Sequence, residues 1–515
     1  MVSNRIRKTA LRTGNNAANV LRIKRFGIDT YQEPVIYLRS DSPICRAEGF
    51  EAQSRVEVRR GEKWIIATLN VVNSQILKLN EAGLSEAAWR ALAAAEGEKV
   101  RVFHPQPTQS FSLVRAKIHG NPLTSDGASA IMRDIVDGRY SDIELASFIT
   151  ACAGNRLDVA ETIGLTRAMI RVGRRLEWNT VPVVDKHCVG GLPGNRTTLL
   201  IVPIVAACGL TIPKTSSRSI TSPAGTADTM ETLAPVTLDM KQIRRVVESE
   251  GGCIVWGGAV NLSPADDLLI RVERPLGLDS DGQLVASILS KKIAAGSTHA
   301  LIDIPVGPTV KVRSAEQAEA LSKRLLAVGD AIGIVMRTVI TDGTQPVGRG
   351  IGPALEARDV LSVLQNDRHA PDDLRQRALL LSASLLELGG KAQPGEGLAM
   401  ACGVLGNGTA WIKFQAICEA QGGMREPSAA DHTHVLVSAH RGRVVAIDNR
   451  RLARIAKLAG APKAHAAGIV FHAPLGTQLE VGQPLLTIHA ESPGELAYAR
   501  AYAEAQEDLL LIQAT

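Results

Sequence analysis

Val184-Asp-Lys-His-Cys-Val-Gly-Gly-Leu-Pro-Gly-Asn-Arg-Thr-Thr-Leu199 is the stretch on which the reading of this chain turns. An extended run, Val181 to Asp185, ends inside it, and Gly190, Gly191 and Gly194 follow at once. An apolar segment then opens at Thr197 and Thr198, either of which can cap a helix. Strand, glycine turn and helix start, in that order, make a cradle for an anion. Glycine lets the backbone approach a ligand closely, and the helix start offers free N–H groups and the positive end of the dipole. Lys186 adds a full charge, so the cradle suits phosphate. It is not a Walker loop, because no Gly-Lys-Ser/Thr follows the glycines.

Two later segments extend this site. Lys214-Thr-Ser-Ser-Arg-Ser-Ile-Thr-Ser-Pro-Ala-Gly-Thr-Ala-Asp228 sets six hydroxyls from Thr215 to Ser222 around Arg218, with Thr226 just beyond. Small donors at that density suit phosphate oxygens and sugar hydroxyls. In Ser287-Ile-Leu-Ser-Lys-Lys-Ile293, Ser287 and Lys291 stand four apart on one helical face, where they can grip one ligand together.

Around these segments the chain changes character several times. Its 515 residues exceed one ordinary core, so three or four domains are expected. Residues 1–88 alternate short apolar runs with turns and read as a small β-rich domain, and Leu84 to Glu98 reads as a helical connector. Residues 110–180, with 264–294, read as a helical lobe. Residues 181–263 and 295–422 alternate β-rich runs with helices, as in an α/β phosphate-binding domain. Residues 425–515 read as an α+β domain, barrel-sandwich-like, whose Gly482-Gln-Pro-Leu-Leu-Thr-Ile-His is similar to the turn and strand of a biotinyl or lipoyl sandwich. The expected fold is thus multidomain α/β.

Composition excludes several classes. Hydrophobic residues at 45% and charged residues at 21% are ordinary for a globular chain. Aromatics at 3% are too few for a nucleic-acid stacking platform. The net charge of +6 is modest, and much of it lies in Arg5, Arg7, Lys8, Arg12, Arg22, Lys24 and Arg25. No nucleic-acid partner is expected. The longest apolar run, Leu199 to Ile212, is broken by Pro203 and Gly209 and falls short of the roughly twenty residues that cross a bilayer. No membrane association is expected. Seven scattered cysteines without a CxxC point to reduced thiols and a cytoplasmic address. No metal site is expected either, since His432 and His434 enter an apparent strand edge.

The three segments, in this order and spacing, resemble the thymidine and pyrimidine-nucleoside phosphorylase family, in its longer branch that includes AMP phosphorylases and type 2 thymidine phosphorylases. The resemblance covers about residues 115–510. It implies phosphate contacts from Lys186, Thr198, Ser216 and Thr226 beside the Gly190-Gly191 backbone. His187, Ser287 and Lys291 match positions that hold the pyrimidine. In the AMP phosphorylase branch, Gly191, Ser217, Arg218, Ser219, Ile220, Thr221, Ser222, Thr226, Ser287 and Lys311 match nucleotide-binding positions, and Asp279 matches a proton donor. The resemblance further implies a homodimer or higher homo-oligomer. It also implies inorganic phosphate as co-substrate, with no cofactor.

The expected reaction is phosphorolysis of a nucleoside, with Asp279, His187 and Lys291 as candidate groups at the departing base. The departures from the pattern are Cys188 in place of serine, Ser222 in place of histidine and Pro193 as an added residue. The arginine that grips the base has only Arg271 and Arg274 as candidate counterparts. A nucleoside 5′-monophosphate substrate, yielding ribose 1,5-bisphosphate, is the alternative. A nucleotide-binding protein without catalysis is the second. An anthranilate-type phosphoribosyltransferase would need magnesium-binding carboxylates after the loop, where this chain has serine and threonine.

Overall fold

Apolar and polar residues alternate along Val20–Arg25 (β1), and the structure, a computed structural model describing residues 20–219, 222–278, 280–506 and 508–514, buries Leu21 and Ile23 of that strand. The basic residues before Val20, together with Ile220, Thr221 and Asp279, lie outside the described residues. The chain divides into two compact units: residues up to 112 with 134–145, and 113–133 with 146–515.

In the first unit Val35–Arg39 (β2), Pro43–Glu48 (α1), Arg55–Arg60 (β3), Lys63–Val72 (β4), Glu81–Leu84 (β5), Glu86–Leu92 (α2) and Lys99–Phe103 (β6) follow β1. The six strands close into a barrel in the order β1-β5-β2-β4-β3-β6. Its core includes Ile36, Leu38, Val56, Val58, Leu69, Val100 and Val102. The barrel runs past the expected end at residue 88. β6 lies beyond the connecting helix and pairs with both β1 and β3, which leaves no open strand edge.

Helices Phe111–Ile118 (α3), Ser125–Val136 (α4), Asp142–Cys152 (α5) and Val159–Val172 (α6) follow, and the second unit takes Leu113–Arg133 and the chain from Ala146 onward. Asp158 and Glu161 form a capping box at the start of α6. The chain then enters Val184–Cys188 (β7), Thr197–Ala207 (α7), Ile212–Ser216 (β8), Thr226–Glu231 (α8), Met240–Glu250 (α9) and Gly252–Trp256 (β9). Next come Pro264–Leu276 (α10) and Asp281–Ala294 (α11), which leave the sheet and pack on α6. His299–Val306 (β10), Ala315–Ile332 (α12) and Val335–Asp342 (β11) return to it. Parallel strands β11-β10-β7 and β8-β9 are joined by one parallel bridge between Val183 and Thr211.

α7 is apolar on every side and is buried from Thr197 to Ala206. It packs against Asp372–Leu388 (α14) and Thr409–Gln421 (α16), which follow Gly350–Ile351 (β12) and Pro353–Leu364 (α13) and are separated by Gly397–Gly406 (α15). The apolar run thus stops at Ala207, and Ile212 opens β8 instead of extending the helix. No described helix is long and apolar enough to cross a membrane.

The C-terminal part contains His432–Val437 (β13), Gly442–Ile447 (β14), Asn449–Leu458 (α17), Gly468–Phe471 (β15), Gln478–Leu479 (β16), Pro484–Ala490 (β17), Pro493–Glu504 (α18) and Leu510–Gln513 (β18). They form two small sheets, β12-β15-β17-β13 and β16-β14-β18, over a core of Leu452, Ile455, Phe471, Leu486 and Ile488. β12 comes from the α/β region and pairs with β15, so one sheet spans the two parts. His432 opens β13, and His434 stands 3.8 Å from Glu504. No three His, Cys, Asp or Glu side chains gather in a metal-binding group among the described residues.

Phe414 of α16 is fully buried in the core that α7 and α14 share. Phe414→Ala is expected to destabilise the protein by about 3–5 kcal/mol through the cavity it leaves, read as a lower urea midpoint of unfolding.

Candidate active site

A strand turns successive side chains to opposite faces. In β7 this sends Asp185 and His187 one way and Lys186 and Cys188 the other, and the two sets meet different partners.

On the Lys186 face, Lys186 is 1% exposed and its Nζ donates to Thr197 Oγ1 at 2.9 Å. Asp303 of β10 stands 3.5 Å from the same ammonium. Asp303 also accepts from Thr341 Oγ1 at 2.6 Å and from Asn195 Nδ2 at 3.4 Å. Burial would raise the Asp303 carboxyl, but Lys186 and these donors outweigh it and hold it below the usual carboxylate range. Thr197 is therefore not a cap. Arg196 occupies the position before the helix without a capping side chain, and Thr197 Oγ1 links Lys186 to Asn195. Cys188 accepts from Asn195 Nδ2 at 3.4 Å, and burial with the nearby Asp303 charge pushes its thiol up to about 12. The thiol stays neutral.

The turn after β7 depends on glycine at two places. Gly190 and Gly191 have φ of +99° and +84°. A Cβ on Gly191 would stand 2.7 Å from the backbone nitrogen of Lys311, so this position brings Lys311 against the turn. Thr198 is buried one residue into α7.

The opposite face holds a cluster that the sequence reading missed. Asp185 is fully buried and receives Lys214 of β8 at 3.2 Å and Lys292 of α11 by a second ion pair. Lys214 also donates to the Lys186 carbonyl at 2.8 Å. Burial alone would raise Asp185, but the two lysine charges hold it below the ordinary range. Burial and Lys292 lower Lys214 despite the partial support of Asp185. His187 is half-buried beside them. Burial first, and then the charges of Lys292, Lys214, Lys291 and Lys186, push its imidazole well below the usual histidine range. His187 is accordingly held as a neutral hydrogen-bonding group at pH 7.

Ser287 and Lys291 do meet on α11, with Lys291 Nζ donating to Ser287 Oγ at 3.2 Å. Lys291 is also held by Asp266 of α10 at 2.6 Å, a partner absent from the sequence reading. Asp267 adjoins it, with its carboxyl raised to about 6 by burial and by the Asp266 charge against the opposing pull of Lys291. The side chain of Arg274 and all of Asp279 lie outside the described residues.

The hydroxyl-rich loop is drawn toward the β7 turn by Arg196. Its guanidinium bonds the Ala224 carbonyl at 2.9 Å, Thr226 Oγ1 at 3.3 Å and the buried carboxylate of Glu356. Ser216 and Ser217 begin the loop at the end of β8. Arg218 is less available than its sequence context suggests. It pairs with Glu231 through both Nη atoms, stands 3.4 Å from Asp228 and lies over the Trp256 ring at 4.9 Å. Asp228 Oδ2 in turn accepts from the backbone of Ser219 at 2.7 Å and of Gly225 at 2.9 Å. Ser222 donates to the Ala224 carbonyl at 2.8 Å. Arg218, Ser219 and Ser222 border a cavity of about 260 Å³ whose other wall is Lys457, Pro462, Lys463 and His465.

The missed groups share one cause. Asp185, Lys214, Lys292, Asp303, Asn195, Arg196, Glu356 and Asp266 acquire meaning only from parallel strand pairing and from α10 and α11 folding back. Asp185 lay inside the quoted motif and could have been questioned, since an aspartate at the end of an apolar strand needs a cation.

Comparisons with known proteins agree with this architecture. Residues 111–173 match the helical bundle domain of a glycosyl transferase family, 180–411 its a/b domain, and 443–507 the pyrimidine nucleoside phosphorylase C-terminal domain. A protein of Polaromonas sp. (strain JS666 / ATCC BAA-500) is 64% identical over 95% of this chain and 96% of its own. One of Legionella pneumophila (strain Corby) is 58% identical over 96% of each chain. Both bear the name "Putative thymidine phosphorylase". Among solved structures, anthranilate phosphoribosyltransferase from Thermus thermophilus shares the fold, with a TM-score of 0.50 and 20% identity over 60% of this chain and 98% of that one. The helical bundle and the α/β domain thus define a glycosyl transferase of this fold. Within it, the chain belongs to the thymidine/pyrimidine nucleoside phosphorylase family.

Asp185→Asn would leave Lys214 and Lys292 buried without their anion. The expected cost is about 3–5 kcal/mol of stability, seen as a lowered thermal midpoint; a midpoint equal to wild type would show that the cluster holds nothing together.

Proposed function

We propose that this chain is a pentosyltransferase of the thymidine phosphorylase type, which uses inorganic phosphate to split a nucleoside or deoxynucleoside into free base and the sugar 1-phosphate. The observation that carries this reading is a buried lysine, Lys186, near the end of a parallel strand, followed by two positive-φ glycines and the N-terminus of a buried helix. Ligands of open α/β sheets bind at the carboxyl ends of the strands, and a helix N-terminus there favours an anion. The homologues' names support the same chemistry.

In this mechanism phosphate is the nucleophile, so the protein supplies no covalent one. Lys186, the α7 N-terminus and Thr198 hold it under the anomeric carbon, while Ser216 and Thr226 close the other side. As the glycosidic bond breaks, positive charge develops on the sugar and negative charge on the base. Lys291 and Ser287 face the base, and neutral His187 offers it a hydrogen bond. Asp303 keeps Lys186 oriented, and by taking up part of its charge it loosens the hold on the anion, which favours release of the product. No cofactor is required, and the enzyme works as a cytoplasmic homo-oligomer.

A second reading, a nucleoside 5′-monophosphate substrate, is favoured by one observation. The cavity beside Arg218, Ser219 and Ser222 has Lys457, Lys463 and His465 across from them. Its one acidic lining residue, Asp228, is already bonded to Arg218 and to two backbone amides. Such a wall, with two lysines and a histidine facing an arginine, suits a second phosphate.

Two outcomes are expected. Lys186→Ala raises the KM for phosphate and lowers turnover, with a loss of about 2–4 kcal/mol in transition-state stabilisation. Steady-state phosphate kinetics check it, and unchanged constants would overturn the assignment. Given thymidine, uridine, AMP and CMP with phosphate, the purified protein separates nucleosides from nucleotides by a factor on the order of a hundred in kcat/KM. Cleavage of AMP with none of thymidine would select the second reading. Base release at an equal rate in phosphate-free buffer would reject both.

A further inference from the structure

Buried polar groups have to be paired, and a lysine ammonium can only donate. That rule fixes each role around Lys186. Its Nζ donates to Thr197 Oγ1 at 2.9 Å. The Thr197 hydroxyl, already an acceptor there, sends its own hydrogen to Asn195 Oδ1 at 3.1 Å. The Asn195 amide is thereby oriented, and its Nδ2 donates to Asp303 Oδ2 and to Cys188 Sγ, at 3.4 Å each. Asp303 Oδ2 faces the Lys186 ammonium at 3.5 Å and closes a ring of four side chains.

All four members are buried. Thr197 is the first residue of α7, so the ammonium is held at the N-terminus of that helix, where N–H groups lack partners within the helix. The ring takes up only two of the three ammonium N–H groups, and among the described residues no third acceptor bonds it. A buried ammonium with one N–H left over, at a helix start, is set for an anion.

Asn195 governs the charge as well as the direction. An ammonium and a carboxylate in full contact close to about 2.7–2.9 Å. Here Asp303 stays at 3.5 Å, drawn instead by Asn195 on Oδ2 and by Thr341 on Oδ1 at 2.6 Å. Arg377, which donates to Thr341 at 3.4 Å, adds a positive charge on that side. We propose that Asn195 is a positioning residue for phosphate. Through Thr197 it aims the Lys186 ammonium at the start of α7, and through Asp303 it keeps the carboxylate from closing on that ammonium. This rests on the phosphorolysis reading, in which Lys186 faces phosphate.

Without the Asn195 amide, Thr197 loses the acceptor for its hydrogen, and Asp303 loses a donor on the oxygen that faces Lys186. The carboxylate then takes the ammonium as its nearest partner, and phosphate has to compete with it. The cost falls on phosphate and not on the nucleoside, since no member of the ring is assigned to the base.

Calorimetric titration with inorganic phosphate, and steady-state kinetics on thymidine, uridine, AMP and CMP, test this in the full-length protein. Asn195→Ala should weaken phosphate, in both Kd and KM, by about tenfold. The KM for the nucleoside or nucleotide should stay within about twofold. Thr197→Val, which keeps the volume and removes the hydroxyl, should weaken phosphate by about as much, and Thr197→Ser should recover most of the loss. The double variant Asn195→Ala/Thr197→Val should also lose about tenfold, because the ring acts as one unit; two independent contacts would lose about a hundredfold. Wild-type phosphate affinity in Asn195→Ala, the hundredfold loss in the double variant, or equal rises in both KM values would overturn the proposal. If Asn195→Ala does not fold, as its thermal midpoint would show, the two Thr197 variants decide. Equal phosphate affinity in Thr197→Val and Thr197→Ser would then overturn it. Titration needs no turnover. Wild type that binds phosphate but cleaves none of the four substrates would reject the phosphorolysis reading, while the phosphate affinities of the variants still decide the role of Asn195. Wild type that binds no phosphate would overturn both.

Discussion

Asp185 carries its negative charge in the interior of the α/β domain, where an unpaired carboxylate would be costly, and two lysines from different elements converge on it. Lys214 comes from β8 and Lys292 from α11, so one buried anion ties the neighbouring strand and the helical lobe to β7. Lys214 reaches across to the Lys186 carbonyl as well. The backbone that carries the phosphate-facing lysine is therefore braced from behind by the same cluster. Moving either lysine away would strand a charge. The arrangement is stiff because each alternative is worse.

The pleat of β7 divides the chemistry. Residues of one parity, Asp185 and His187, sit among positive charges, and residues of the other, Lys186 and Cys188, sit against Asp303 and Asn195. Burial, and then the excess of cations behind the strand, keeps His187 unprotonated. The balancing carboxylate in front keeps Lys186 a localised, oriented charge. Two opposite electrostatic environments are thus built within five residues, and neither depends on the loops that follow.

What could be read without the structure was the local part. Strand, glycine turn and helix start over 184–199, and the face shared by Ser287 and Lys291, follow from short-range pattern. What escaped was long-range. Asp303 stands 117 residues from Lys186, and Asp185 is 107 residues from Lys292. Parallel pairing leaves no trace in periodicity that would bring them together. β6 escaped for a related reason, since a five-residue strand after a helix gives little sign that it completes a barrel. The hydroxyl-rich loop was legible as ligand-like, but the acids that occupy Arg218 lie 10 and 13 residues further on, on the helix that follows the loop.

Arg218 lies flat over Trp256, 4.9 Å from the ring centre, while Glu231 holds its other side. An indole is an emitter whose brightness and colour respond to a cation on its face and to the water around it. The five tryptophans of the chain are few enough for one of them to be followed. The stack therefore equips the hydroxyl-rich loop with an optical gauge of its own. Any rearrangement that draws the guanidinium away is written into the light from Trp256, with no label attached.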